Sequence, residues 1–159
     1  MEIEYPYPIF ESIAQRVAHT YLRSLARLKD TRDAGVRAGL TIEAIEALHA
    51  CLDALRPGEP IGKVFDAYAA TAARHGMDDY RLNACGYSLG TTFSPNWMDW
   101  PMFYAGNPVL AEPGMVFFLH MILIDGGSAT AMCPGTTVLV GESGNEVLSR
   151  RPLDLVVKK

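Results

Sequence analysis

The sequence predicts an α+β fold in which N-terminal helices pack on a curved antiparallel sheet. Three observations carry that expectation: helical spacing of large apolar residues up to Gly76, a change to Gly, Pro and aromatic residues after it, and a strand-like run followed by a hairpin signal. From Phe10 to Leu28 the residues Phe10, Ile13, Val17, Tyr21, Leu22, Leu25 and Leu28 recur at helical spacing, with Glu11, Gln15, Arg16, Arg23 and Arg27 opposite. Residues Lys29 to Gly39 are polar and punctuated by Gly, and they read as a linker or helix break. Thr41 then caps a second helix with a stripe of Ile45, Leu48, Leu52 and Leu55, ended by Pro57-Gly58. Pro60 opens a third, which buries Val64, Phe65, Tyr68 and Ala72 and stops at Gly76.

Gly86 to Pro113 reads as loops and short strands. Met115 to Ile124 (MVFFLHMILI) is dense in strand formers, follows the turn signal Pro113-Gly114, and predicts a central strand buried on both sides. Thr136 to Val140 pairs with Glu146 to Leu148 across Glu142-Ser143-Gly144-Asn145, where Gly144 is expected at positive φ. Leu153 to Val157 suggests one more strand.

At 159 residues the chain suits one domain, 1–159, with one core. Hydrophobic residues at 49% and charged residues at 20% exclude disorder, collagen and coiled coil. A net charge of -4 gives no electrostatic reason to bind nucleic acid or an anionic membrane, which leaves small molecules and proteins as partners. Cys51, Cys85 and Cys133 are odd in number and far apart, as for reduced thiols. The acidic opening Met1-Glu2-Ile3-Glu4-Tyr5 lacks the basic and apolar parts of a secretory leader, and a cytoplasmic location is the expectation. The apolar run at Met115 is about half the ~20 residues a membrane helix needs.

Six pieces carry a family resemblance by their order: His49-Ala-Cys-Leu-Asp-Ala-Leu with Arg56-Pro-Gly, Pro60-Ile-Gly-Lys-Val-Phe-Asp-Ala-Tyr, Gly86-Tyr-Ser-Leu-Gly, Pro113-Gly-Met-Val-Phe, Thr137-Val-Leu-Val and Gly144-Asn-Glu-Val-Leu-Ser. Together they resemble the C-terminal half of the pita-bread domain of family M24, the class of creatinase, prolidase and methionine aminopeptidase. The loop at Tyr87 and Trp97-Met98-Asp99 resemble its ectoine-hydrolase-like and dimethylsulfoniopropionate-lyase-like branch. Residues 49–159 carry the likeness, whereas 1–48 form a helical segment that matches the family poorly.

The resemblance implies a divalent metal pair held by two Asp, one His and two Glu, since hard cations need converging anionic oxygens. This chain departs from that pattern. The His falls on Tyr87, one Glu on His120 and the other near Gly135. Asp33-Ala-Gly35 imitates part of the Asp motif, with no second Asp at the class spacing. No metal ligand and no cofactor is therefore assigned.

The candidate catalytic residues are Tyr87, Asp99 and His120. Tyr87 stands between Gly86 and Ser88, where a phenol could donate to an oxyanion or exchange a proton; the alternative is a loop tyrosine packed over the sheet. Asp99 lies between indoles that would raise its pKa if they buried it, and Trp97, Trp100 and Tyr104 are the candidate substrate-binding residues, suited to a cationic group. The alternative is an exposed Asp beside core tryptophans. His120, isolated on an apolar strand, reads as a neutral core histidine or as a site residue. His19, His49 and His75 read as surface residues, Cys85 as a structural thiol, and Glu142 and Glu146 as solvated hairpin carboxylates.

The function expected from the resemblance is a hydrolase or lyase acting on a small amino-acid-derived or onium substrate, in a truncated or degenerate family member. The alternative is a non-catalytic pseudoenzyme or interaction subunit lacking the metal site, and a remnant reading frame is the third. Half of such a sheet would expose an edge, so a homodimer is expected.

Overall fold

A computed structural model of the chain describes residues 32–90, 92, 98–150 and 153, with residues 32–38 described by backbone alone. The expected helix at Phe10 to Leu28 and most of the segment from Leu153 to Val157 lie outside the described residues. The chain divides into two compact units, Met1–Val36 and Arg37–Lys159. In the first, only helical backbone at 32–36 is described, and the fold below is that of the second.

Helix α1 spans Arg32–Ala54 and α2 spans Gly62–Arg74. The expected break before Thr41 is absent: α1 runs through Gly35 and Gly39, and Thr41 is a buried residue inside the helix instead of its cap. A helical glycine costs only about 1 kcal/mol relative to alanine, which packing from Leu40 onward can offset. The buried seam is Leu40, Ala44, Ala47, Leu48, Cys51 and Leu55; Ile45 and Leu52, expected in the stripe, are half-buried beside it. Two carbonyls at the end of α1 are satisfied at long range, as the Asn145 Nδ2 amide donates to Leu52 O at 2.6 Å and Leu55 O at 2.9 Å.

Helix α2 starts two residues after Pro60, because the backbone before it is tied to a loop. Pro60 bridges Leu110, Ile61 N–H donates to Val109 O at 2.8 Å, and Gly62 N–H donates to Asn107 O at 3.0 Å. A Cβ on Gly62 would lie 2.7 Å from Asn107 N, so glycine permits this approach. Val64, Phe65, Tyr68 and Ala72 are buried as expected. Gly76 ends the helix region at φ +68 while Met77 N–H returns to Ala72 O at 2.8 Å.

The strands are β1 (Gly86–Ser88), β2 (Asp99–Met102), β3 (Val116–His120), β4 (Leu123–Asp125), β5 (Thr130–Met132), β6 (Gly135–Val140) and β7 (Asn145–Val147). They form an antiparallel five-stranded sheet in the order β2-β1-β3-β6-β7 and a β4-β5 ribbon. The apolar run at Met115 is thus central but divided: β3 ends at His120 and β4 belongs to the ribbon. Met121 N–H bonds Pro134 O, and the Tyr68 hydroxyl donates to Ile122 O at 2.7 Å, fixing the crossing. Nor is β3 buried on both sides. Phe117 and Leu119 are fully buried, while Val116, Phe118 and His120 are half-buried.

The β6-β7 hairpin pairs Val138 with Val147 and Val140 with Asn145. Gly144 does not take the expected positive φ; Gly141 N–H closes the turn on Gly144 O at 2.7 Å. Leu153 packs half-buried on the core outside any strand. One buried cluster joins Leu48, Cys51, Leu55, Val64 and Tyr68 from the helices to Phe103, Phe117, Leu119, Val138 and Val140, so the helices cover one face of the sheet. No helix among the described residues is long and apolar enough to cross a membrane.

Candidate functional site

The sheet face opposite the Phe117 and Leu119 side chains carries the candidate site, and strand alternation places it. Tyr87 on β1 is directly opposite Phe118 on β3, and His120 lies two residues further along β3, on the same face. The three rings form one cluster, with centroids 5.7 Å apart for Tyr87 and Phe118, 5.4 Å for Tyr87 and His120, and 5.7 Å for Phe118 and His120. Gly135 on β6 pairs with His120. A Cβ there would lie 2.6 Å from Phe118 Cζ and 3.0 Å from Leu119 O, so the Phe118 ring occupies the space a side chain at 135 would need. The three positions that the resemblance equates with a His and two Glu therefore converge, carrying a phenol, an imidazole and no side chain.

His120 is held by its backbone N–H to Cys85 O at 3.0 Å. Its Nδ1 is buried without a hydrogen-bond partner. Burial pushes its pKa below the ordinary histidine range, because the charged ring would lose water and gain nothing in exchange. The imidazole is neutral at pH 7.

Asp99 sits on β2, next to β1, in a bulge that pairs Tyr87 with Met102 and Ser88 with Asp99. Its carboxylate accepts the Thr92 N–H at 3.3 Å, and a Cβ on Gly90 would collide with it, so the group serves the backbone at Gly90 and Thr92. The expected core tryptophan beside it is not found at Trp100, which is 65% exposed and stacks on Tyr104 with centroids 5.9 Å apart. Trp97 lies outside the described residues. The structure thus brings Tyr87 and His120 together, joins Trp100 to Tyr104, and ties Asp99 to a loop.

The other histidines and thiols fall where packing explains them. His75 pairs with Glu46 at 2.8 Å and Glu43 at 3.6 Å, and its hydrogen bond is the largest influence holding Glu46 below the usual carboxylate range. His49 is exposed, and His19 lies outside the described residues. Cys85 is fully buried and its thiol is pushed up by burial, then by contact with Cys51, which opposes nucleophilic use. Cys51, Cys85 and Cys133 are all free thiols. Glu142 and Glu146 are exposed.

Sequence reasoning missed Phe118, the ring that completes the cluster and closes the space over Gly135. Its signal was present in the two-residue spacing to His120 on a strand. A divalent pair does not fit what is found. Among the described residues no three His, Cys, Asp or Glu side chains converge, and none of the three matched positions offers a carboxylate.

Comparison with known proteins gives a consistent assignment. The model of metallopeptidase family M24 matches residues 38–142. The hydrolase/peptidase y4tM of Sinorhizobium fredii is 30% identical over 118 residues, 72% of this chain and 28% of that protein. Ectoine hydrolase of Halomonas elongata is 27% identical over 116 residues, 72% of this chain and 28% of that protein. Among solved structures, dipeptidase PepE of Mycobacterium ulcerans superposes with a TM-score of 0.68 at 25% identity, covering 74% of this chain and 30% of that one. The chain therefore spans 28% of the length of these two relatives.

Proposed function

Because this chain belongs to metallopeptidase family M24, we propose that its Tyr87, Phe118 and His120 face is a small-molecule site of hydrolase type, working on an amino-acid-derived amide without the family's metal pair. The observation that carries this reading is the neutral His120 packed on Tyr87 at the positions where the family resemblance puts metal ligands. Similarity to an ectoine hydrolase supports a small substrate over a protein one. In this reading the rings bind the apolar body of the substrate and exclude water from one side of it. Tyr87 and His120 supply polar contacts to the reacting group. Asp99 holds the Thr92 N–H, and Trp100 with Tyr104 offers a second aromatic contact.

The test is turnover of ectoine, N-acetylated amino acids and Xaa-Pro dipeptides by the full chain, with and without chelator, beside metal analysis of the purified protein. Chelator-resistant hydrolysis that is lost in His120→Phe is expected. Two tightly bound metal ions per chain, with activity abolished by chelator, would overturn the metal-free reading. A second reading, a ligand-binding or interaction subunit with no chemistry of its own, is favoured by the lack of a three-donor cluster among the described residues. It predicts ligand binding without turnover.

A further inference from the structure

The ring cluster contains one imidazole whose two nitrogens are in opposite situations. Nδ1 of His120 is buried and unpartnered. Nε2 is not among the buried unpartnered atoms, and no hydrogen bond is made to it within the described residues. The same holds for the Tyr87 hydroxyl, whose ring contacts are with Phe118 and His120. Two polar groups on adjacent strands, carried by half-buried rings on the same sheet face, therefore have nothing in the described residues to bind them.

The buried nitrogen decides which of them carries the proton. A buried N–H with no acceptor is rarer and costlier than a buried lone pair with no donor. A proton on both nitrogens would add such an N–H and a charge among aromatic rings. The lone pair therefore belongs at Nδ1 and the proton at Nε2, pointing outward. A phenolic O–H and an imidazole N–H on rings whose centroids lie 5.4 Å apart are two donors, and no acceptor among the described residues answers them.

We infer that Tyr87 and His120 form an uncharged hydrogen-bond donor couple for the acyl oxygen of a small amide, with His120 in its Nε2–H tautomer. The inference deepens the small-molecule reading of this face and rests on it for the ligand. The tautomer rests on geometry alone. A neutral imidazole that donates, instead of accepting a proton, polarises a carbonyl without becoming charged, as preorganised donors do in oxyanion-binding sites. His120 would then be a binding and polarising group and not the general base.

Imidazole 15N NMR on the full chain tests the tautomer, with the His120 signals assigned by their loss in His120→Phe. The expected result at pH 7 is a proton on Nε2, an unprotonated Nδ1, and perturbation of both on titration with 2-pyrrolidinone as a neutral amide probe. Tyr87→Phe should weaken the probe several-fold, His120→Phe about tenfold, or about 1.4 kcal/mol. His120→Gln, which keeps a terminal N–H donor, should recover part of the loss. An Nδ1–H or doubly protonated ring at pH 7 would overturn the inference. So would unchanged probe binding in both variants, or binding of tetramethylammonium in place of the lactam, which would mark a cation site on the ring faces.

Turnover separates this inference from the proposed function. Hydrolysis with the proton on Nδ1 would sink the donor couple and leave the hydrolase reading standing. An Nε2–H ring that binds the probe in a chain with no turnover would support the couple and sink the hydrolase.

Discussion

Phe117 and Leu119, on one face of β3, lie at 0% exposure in a cluster that reaches both helices, whereas Phe118 and His120, one residue out of phase, are half-buried and pack on each other and on Tyr87. The two faces differ in completion. The first has its helices above it, and its polar atoms are satisfied, the Tyr68 hydroxyl by Ile122 O and the Cys51 thiol by Val64 O. The second has half-buried rings, a buried nitrogen without a partner, and a glycine at 135 that leaves room for the Phe118 ring. The first face holds the fold together, and the second tolerates a defect that a ligand could use.

The contrast is broken most directly by truncating each ring in turn. Phe117→Ala should cost about 3 to 5 kcal/mol in urea unfolding, because a fully enclosed site cannot collapse around the cavity. Phe118→Ala should cost distinctly less, since its ring is partly in water; equal losses would mean the two faces are equally packed. Next in size, Gly135→Ala should destabilise by about 1 to 3 kcal/mol, because the new methyl must displace the Phe118 ring and meets Leu119 O as well. The same variant should alter ligand binding at the open face, which a core glycine elsewhere would not do.

Smaller again, Tyr68→Phe removes the hydroxyl that bonds Ile122 O and leaves that carbonyl wanting, for a loss of about 1 to 2 kcal/mol. His120→Phe has the opposite sign. It deletes the unpartnered nitrogen and keeps a ring, so a gain of about 1 kcal/mol is expected. The pH dependence sharpens this last case. Since burial lowers the His120 pKa, the unfolded chain takes up its proton first as pH falls. The contribution of His120 is complete above about pH 6.5, the ordinary histidine value. It is lost as pH falls below that toward the lowered native pKa. Unfolding curves at pH 7.5 and pH 5 should diverge less for His120→Phe than for the native chain.

Much of this was legible in the residues. The buried set of α2 was readable from Val64, Phe65, Tyr68 and Ala72, because a helix repeats every 3.6 residues and its apolar stripe must face the core. The hairpin of β6 and β7 was readable from the turn residues between two apolar runs, although the conformation assigned to Gly144 was wrong. The start of α1 was not readable, since Gly35 and Gly39 look like punctuation and yield only to packing that begins at Leu40. At the site, Tyr87 and His120 were visible as chemistry-bearing residues at matched family positions. Their contact was not, because register between β1 and β3 is a long-range property. For Asp99, the hydrogen bond from Thr92 N–H to its half-buried carboxylate was not readable from the flanking tryptophans.

The sequence by itself determined the α+β class, the two described helices, the β6-β7 hairpin and the absence of a Glu at positions 120 and 135. Periodicity and residue chemistry are local, and they survive any arrangement of the chain. Only the tertiary structure decided that β3 stops at His120, that Phe118 closes the space over Gly135, and that one imidazole nitrogen is sealed while the other is open. Those facts depend on which residues stand opposite one another across strands far apart in sequence. Pairing register and burial, not composition, make this face of the sheet a candidate site.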